Sequence, residues 1–531
     1  MPERSREQVP SKGSSFIKST AILAGAMVFS QICGLLSKSL LGSTFGTSAE
    51  LDAYLASNRL TETIFNLVAG GALASAFVPM FSTLLDRDDA RGAWKLASNI
   101  VNILILVLLV LTALLYAFAG PVAENFLVPG FKAQDPLMQR LTAELLRIQL
   151  PSILIFGLSG LLMGILNSHG NFLLPGLAPA MYQIGILIGV TILAKPFGIR
   201  GLAYGAVLGA ALHLSAQLPG LIRIRTKRYF ASFGFRDSAV IEVIRLMIPR
   251  QVGASAVQLN FLVNNFIASY LPAGSITAVS LGLTIMLMPQ AVIAQSVATV
   301  SLPRFSVLAG RGELDRMRSA LADTLRLVLL LSLPAAVGLI LFGSEIVRLI
   351  FERSAFNPQM SEMVNWALRW YSVGLVFHCI VEVVSRAFYA VHDTKTPVIV
   401  LFCAMGLNMA LSFLLTEGFS RAGLYPHGGV ALANSIATGL EMAALLTLMR
   451  RRLDGLSGKR IVRVLVQGGA AVSAMIAFIF LWRAAAGKLA PLLYLAGGIG
   501  GAVFVYAGGC LAAKVEESAL IRRALRRFFV R

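Results

Sequence analysis

Along most of the chain, apolar residues run in blocks of 20–30 positions separated by short polar loops. A helix needs about 20 residues to cross a hydrocarbon core of about 30 Å. The strands of a membrane barrel would instead alternate over segments of about ten. The blocks therefore predict about fourteen transmembrane helices, at 16–42, 52–84, 94–119, 138–167, 173–194, 199–223, 239–270, 276–303, 320–343, 362–390, 396–416, 427–449, 463–483 and 490–513. The fold class this implies is an all-α polytopic membrane protein. The polar start MPERSREQVPSKGSS leads straight into a full-length span, without the short apolar core and cleavage site of a removable leader.

Composition agrees with that reading. Of the 531 residues, 56% are hydrophobic and 14% charged, against about 45–50% and 25% in soluble domains, which excludes a single soluble fold. The formal net charge of +20 raises nucleic acid as a partner, but its distribution argues otherwise. Basic residues crowd alternate loops: Arg87, Arg91 and Lys95 follow the second span, Arg223, Arg225, Lys227 and Arg228 the sixth, and Arg450, Arg451 and Arg452 the twelfth. The loops STFGTSAE and LPAGS carry none. About 29 Lys and Arg fall on one side and about 8 on the other, which places both termini in the cytoplasm and requires an even number of spans. Membrane lipids, and anionic headgroups in particular, are the partners such a skirt attracts. Cys33, Cys379, Cys403 and Cys510 all lie in apolar spans without ligand spacing, and read as small buried hydrophobes.

An internal repeat recurs at an offset of 223–224 residues. Pro79-Met80-Phe81-Ser82-Thr83-Leu84 matches Pro303-Arg304-Phe305-Ser306-Val307-Leu308, and His169 followed by Pro175 matches His392 followed by Pro397. Spans 1–6 thus read as duplicated in spans 7–12, with the same orientation. The organisation expected is a cytoplasmic tail (1–15), two like-oriented six-helix bundles (16–226 and 237–452), two further helices (461–515) and a basic cytoplasmic tail (516–531). Parallel repeats about an axis normal to the membrane are a transporter design, in which one half rocks against the other.

Ionisable residues within spans are costly and tend to face a cavity or a partner. Lys38 lies in span 1, Arg59 and Glu62 one turn apart in span 2, and Arg250 in span 7, followed by Asn260, Asn264 and Asn265. Together they suggest a cationic, polar cavity for a phosphate-bearing headgroup, which arginine suits through bidentate contacts. The alternative is that Lys38 snorkels, Arg59 and Glu62 neutralise each other, and the asparagines cross-link helices. Gly70 and Gly71 interrupt span 2, and Pro249 and Pro289 interrupt spans 7 and 8, as candidate hinges or simple packing positions. His213 and His378 stand singly in apolar stretches, and Glu382 and Arg386 are spaced as a structural pair. No nucleotide-binding, zinc-protease or hydrolase motif is found, so neither an enzyme nor a cofactor is expected.

Leu51-Asp52-Ala53-Tyr54 and Gly70-Gly71-Ala72-Leu73-Ala74-Ser75-Ala76-Phe77-Val78-Pro79 resemble the first helical pair of the MurJ/MviN lipid II flippase family. The stretch from Tyr371-Ser372-Val373-Gly374-Leu375 to Arg386-Ala387-Phe388-Tyr389-Ala390 and Asp393-Thr394-Lys395-Thr396-Pro397 resembles it too and is the most specific part. The resemblance runs over most of 16–450. It implies a flippase of the bacterial inner membrane that carries the undecaprenyl-pyrophosphate-linked peptidoglycan precursor outward, with spans 13–14 lining a groove for the lipid tail. Cell-wall synthesis or division proteins are the protein partners it suggests.

The chain departs from the family pattern at several charges. The basic and acidic positions of helix 1 look like Gln31, Ser37 and Lys38; basic positions of helix 2 fall at Phe65 and Asn66, although Arg59 keeps one, and an Asp-Arg pair of helix 8 falls at about Leu283-Thr284. The acidic sodium ligands of some members are matched by Asn265, Asn408 and Ser412, so no metal site is assigned with these residues as more than candidates. Export of another polyprenyl-linked oligosaccharide and multidrug–cation antiport with Glu62 as the coupling carboxylate stand as the alternatives.

Overall fold

The computed structural model describes residues 12–68, 72–456, 458–487, 489–513 and 515, and among these every regular element is helical. The hinge candidates Gly70 and Gly71 lie outside the described residues, as do the expected tails, except for 12–15 at the start of the first helix. The chain packs into two compact units. One takes the residues up to Phe45 with Ala49–Leu262, and the other Gly46–Ser48 with the chain from Val263 onward.

The first unit contains α1 (Lys12–Phe45), α2 (Ala49–Val68), α3 (Ala72–Asp86), α4 (Ala90–Ala117), α5 (Ala119–Val122) and α6 (Phe131–Gln134). It continues with α7 (Pro136–Gln149), α8 (Pro151–Ser168), α9 (Leu173–Ile188), α10 (Ala194–Phe197), α11 (Arg200–Ser215), α12 (Leu218–Arg223) and most of α13 (Ser238–Ala268). The second holds the end of α13, α14 (Ser275–Gln290), α15 (Ser296–Gly310), α16 (Leu314–Phe351) and α17 (Pro358–Ala390). It ends with α18 (Lys395–Arg421), α19 (His427–Arg452), α20 (Gly458–Ala486) and α21 (Pro491–Ala512).

Among the described residues, each of the fourteen expected spans falls mainly on helix. Eleven helical stretches among the described residues are long and apolar enough to cross a membrane, so the chain is an all-α, multi-pass membrane protein. Spans 1, 2 and 7 fall on α1, α2 with α3, and α13. In α2 the reason for its lower apolarity is plain, since it carries Glu50, Asp52, Arg59 and Glu62.

Several spans are subdivided. Span 4 is described as α7 and α8 meeting at Leu150-Pro151. Five-residue π-helical turns widen two others, at Gly189–Leu193 after α9 and at Ala291–Gln295 just after Pro289. Proline lacks an N–H and leaves a carbonyl of the preceding turn to re-pair, which locates the second irregularity. The expectation that all four cysteines are buried fails for Cys403, which is exposed. It lies on α18, whose Ile399, Met409, Phe413 and Leu414 also face outward, so this thiol sits on a surface that suits lipid tails.

Close backbone packing organises the first unit. A Cβ on Gly185 would stand 2.1 Å from the Gly209 Cα, and one on Gly205 2.6 Å from the Gly189 Cα. Four glycines thus let α9 and its π turn lie directly against α11. In a membrane, association relies on such contact because lipid tails compete for every apolar face.

The repeat is written into the turns. In both copies an Asn or Asp follows a residue in the left-handed region and caps the next helix. Gly170 (φ 73) precedes Asn171, which accepts from Leu174 N at 3.4 Å; His392 (φ 59) precedes Asp393, which accepts from Thr396 N at 3.0 Å. The amides of Asn171 and Asp393 bond back to the Leu166 and Phe388 carbonyls. Asp88 (φ 58) with Asp89 and Gly312 (φ 71) with Glu313 repeat the left-handed residue and the back-bonded amide between α3–α4 and α15–α16, though only Asp89 caps with its side chain.

The last two helices join the second unit through α16. Tyr506 donates to the Leu330 carbonyl at 2.7 Å, Arg483 pairs with Glu345 at 3.2 Å, and Gln467 donates to the Ala513 carbonyl at 2.8 Å.

Candidate functional site

In the first unit, α2 is positioned by a buried amide. Gln149 of α7 donates to Ser57 Oγ at 2.8 Å and accepts from Thr61 Oγ1 at 3.5 Å. This fixes the rotation of α2 and sends Asn58, Arg59 and Glu62 to a common neighbourhood. The two oxygens of Glu62 are shared: Oε1 accepts from Asn58 Nδ2 at 2.8 Å, and Oε2 pairs with Arg59 Nη1 at 3.3 Å. The Arg59 guanidinium also lies 5.1 Å from the centroid of the Phe261 ring on α13, a cation–π contact.

Lys38 approaches the same group from α1, close enough for its charge to interact with Glu62 and Arg59. Beside it, Ser37 is buried and donates to Gln183 Oε1 of α9 at 2.8 Å. Tyr54 and Tyr182 lie within range of the Glu62 charge, with Tyr182 next to Asn58. The set is two cations, one anion and a ring of neutral donors. Its residual positive charge can attract an anion, while Glu62 orients the guanidinium.

Further along α2, the Gln251 side chain of α13 donates to the Leu67 carbonyl. Asn260 is half-buried on α13. The side chains of Pro249 and Arg250 lie outside the described residues, so of the expected cationic set only Lys38 and Arg59 are placed.

The second unit holds a neutral polar set. Asn264 and Asn265 are buried, and Asn408 of α18 donates to Asn264 Oδ1 at 2.9 Å. Ser412, one turn beyond Asn408, is fully buried and its Oγ has no hydrogen-bond partner among the described residues. These oxygens match a monovalent cation in type, though they carry no charge; no group of three or more His, Cys, Asp or Glu converges among the described residues.

Two networks join residues that the sequence showed only singly or as a local pair. In the first unit, Ser159 Oγ lies 2.6 Å from His213 Nδ1 and accepts from Gln217 Nε2 at 2.6 Å. In the second, α17 and α19 share a polar seam. His378 Nε2 lies 3.0 Å from Asn434 Oδ1 and 3.4 Å from Thr438 Oγ1, and Glu382 and Arg386 pair at 2.7 Å. Glu441, one turn after Thr438, is buried. The two lone histidines are thus hydrogen-bonded, and the Glu382–Arg386 pair expected from its spacing is formed. A cleft of about 650 Å³ at the α15–α16 turn is lined by Arg304, Asp315, Arg316 and Asp323, and by none of the residues above.

The departures from the family pattern have structural uses. Phe65 packs against Phe156 with ring centroids 4.3 Å apart, Ser37 holds Gln183, and Leu283 is buried.

A family model described as lipid II flippase MurJ matches residues 41–495. The chain belongs to the MurJ lipid II flippase family. Among curated MurJ relatives, one from Rhizobium meliloti (strain 1021), a probable lipid II flippase, is 28% identical over 530 residues and covers 97% of each chain. The MurJ flippase of Burkholderia cenocepacia is 26% identical over 438 residues, covering 81% of this chain and 83% of its own. A solved structure of a MurJ lipid II flippase in an inward closed conformation is 25% identical, with a TM-score of 0.76 over 94% of this chain and all of that one. An inward-facing MATE family multidrug transporter is 16% identical with a TM-score of 0.66, over 81% of this chain and 96% of its own, which shows a shared fold. MurJ membership indicates a transporter, and agrees with the resemblance carried by Asp52, Tyr54, Arg386 and the Asp393–Pro397 motif.

Proposed function

We propose that this protein translocates lipid II from the cytoplasmic to the outer leaflet of the bacterial inner membrane, by alternating access, for cell-wall synthesis. The observation that carries the reading is the Lys38–Arg59–Glu62 cluster, a net cationic group within the span region of a MurJ-family chain. A charge at the centre of a spanning helix costs roughly 2.5–3.5 kcal/mol on insertion scales, and a pyrophosphate to be bound gives it a purpose.

In this scheme Arg59, Lys38 and Arg250 hold the pyrophosphate, and Asn260, Asn264 and Asn265 take the sugar or peptide. Helices α20 and α21 receive the polyprenyl tail. Asn265, Asn408 and Ser412 offer oxygens to a coupling cation, and Pro289 with the π turn after it supplies a bending point. The repeat predicts two like-oriented halves, and the basic loops predict cytoplasmic termini. Cell-wall synthesis or division proteins are the expected partners.

A bacterium depleted of its own lipid II flippase tests the proposal. Expression of this chain restores growth, and Arg59→Ala at equal membrane abundance does not. A correctly inserted wild-type protein that gives no rescue overturns the lipid II assignment. A second reading is favoured by Ser37, Phe65 and Leu283, which stand where the family pattern has charges: a related polyprenyl-linked oligosaccharide is then the cargo. Rescue of a strain lacking such an exporter, without rescue of the lipid II strain, selects it.

A further inference from the structure

The segment between α12 and α13 is built in an unusual way. Residues 227–234 form neither helix nor strand, yet α4 holds them firmly. Asn102 Nδ2 donates to the Phe230 and Ser232 carbonyls at 3.1 and 2.7 Å, and its Oδ1 accepts from the Tyr229 hydroxyl at 2.7 Å. Ser98 Oγ accepts from Phe230 N at 3.1 Å, and Ser232 Oγ donates to Asn99 Oδ1 at 2.6 Å. Gly234 has φ 60 and passes so close to Asn99 that a Cβ would stand 2.2 Å from its Nδ2. Only glycine meets both conditions at that position.

What this scaffold displays is aromatic and basic. Phe230 packs inward against the core of the unit. Tyr229 is 69% exposed and Phe235 64% exposed, and Phe233 stacks on Phe235 with centroids 5.5 Å apart and planes at 4°. Arg223, Arg225, Arg228 and Arg236 are all exposed and make no ion pair among the described residues. The remaining charges are engaged locally. Lys227 Nζ donates to the Ile222 carbonyl at 2.6 Å, and Asp237 accepts from Ala239 N at 3.1 Å at the start of α13.

We propose that residues 223–237 form a preorganised interfacial foot that binds anionic phospholipid headgroups. Exposed phenyl rings fixed by a hydrogen-bonded backbone favour the boundary between headgroups and acyl chains, where an aromatic face is apolar and its surroundings are wet. Four arginines outnumber the one acid of the segment, Asp237, which is turned to the start of α13, and suit phosphate oxygens in bidentate fashion; the segment joins the ends of consecutive span helices, which keeps it at the membrane surface. Charge complementarity selects the occupant: a layer of negative phosphates matches both the sign and the spread of these side chains. The inference is independent of the cargo.

The test uses the full chain with its four cysteines replaced and a single reporter cysteine at the exposed Ala231 (Ala231→Cys). A fluorophore on that thiol is read in lipid nanodiscs containing headgroup-level spin-labelled lipid, with phosphatidylcholine alone or with phosphatidylglycerol added. Quenching rises severalfold when phosphatidylglycerol is present, and falls again in high salt, where screening weakens surface attraction. The triple variant Arg225→Glu/Arg228→Glu/Arg236→Glu, which alters exposed side chains only, loses the rise while remaining monodisperse. Equal quenching in both lipid mixtures overturns the proposal, as does a phosphatidylglycerol response that persists in the triple variant. Shielding of the thiol from an aqueous reagent that appears only when a soluble protein extract is added assigns the surface to a protein partner and overturns it as well.

Discussion

At the scale of single residues, Asp393 explains why the Asp-Thr-Lys-Thr-Pro motif is so recognisable. Its carboxylate accepts from Thr396 N at 3.0 Å and Thr396 Oγ1 at 2.7 Å, and pairs with Arg452 at the end of α19. Burial works to raise its pKa, but the two Thr396 bonds and the Arg452 charge outweigh it and hold the group at about 2. The folded value lies below the ordinary value of about 3.9, so the stabilisation is fully present above that pH and is lost as pH falls through about 2. Asp393→Asn is expected to lower the thermal midpoint at pH 7 by the equivalent of roughly 1–3 kcal/mol. The gap between variant and wild type should narrow below about pH 4 in a thermal-shift series; a gap constant with pH would show that the charge is not what matters.

Arg59 offers a complementary prediction. Because Glu62 takes both Asn58 and Arg59 as partners, Glu62→Gln leaves the guanidinium in place and less neutralised. Growth rescue in a flippase-depleted strain should survive Glu62→Gln and fail in Arg59→Ala, and the reverse order would point to carboxylate-coupled antiport. Arg59 and Glu62 were legible in the sequence because charges in an apolar run stand out. Gln149, Ser37 and Asn58 were not, since each is an ordinary polar residue until the fold supplies its partner. Glu382 and Arg386 were visible as a spaced pair, but only the packing of α17 on α19 brings His378, Asn434 and the buried Glu441 into one seam with them.

At the scale of elements, hydropathy was enough to put the long apolar blocks on helices, eleven of them long and apolar enough to cross a membrane, because crossing a hydrocarbon core demands length and apolarity above all. It was not enough to place the breaks. The π turns at Gly189–Leu193 and Ala291–Gln295 change hydrogen-bond register without changing composition, and Pro289 marked only one of them. Nor does an apolar run reveal which of its faces meets protein, as the exposed Cys403 on α18 illustrates. The glycines of α9 and α11 are a further case, since glycine is common throughout the spans and only the packed structure identifies Gly185, Gly189, Gly205 and Gly209 as a contact. Gly209→Val should be strongly destabilising, because its Cβ would meet the Tyr182 carbonyl oxygen at 2.6 Å and overpacking costs about 1–3 kcal/mol or more. Gly406, where an added Cβ meets nothing within 4 Å, is the control: Gly406→Ala should leave the midpoint nearly unchanged in the same detergent-solubilised melt. Equal effects at both sites would refute close packing as the reason.

At the scale of the whole molecule, the two short sequence matches have paired turns beside them. Gly170-Asn171 and His392-Asp393 share a left-handed residue, a capping side chain and a back-bonded amide. Family membership then joins this architecture to a transport role, and the charges that remain in α1 and α2 suggest where an anionic headgroup is held. Of the departures from the family pattern, Ser37, Phe65 and Leu283 have packing duties, which makes cargo identity the step most in need of measurement. The most direct measurement is outer-leaflet accessibility of lipid II in cells depleted of their native flippase, read by an externally added lipid II-cleaving enzyme. The account predicts that this chain restores cleavage to the level seen with a native flippase and that Arg59→Ala does not. Lipid II that stays protected while the wild-type chain is abundant and correctly inserted would contradict it.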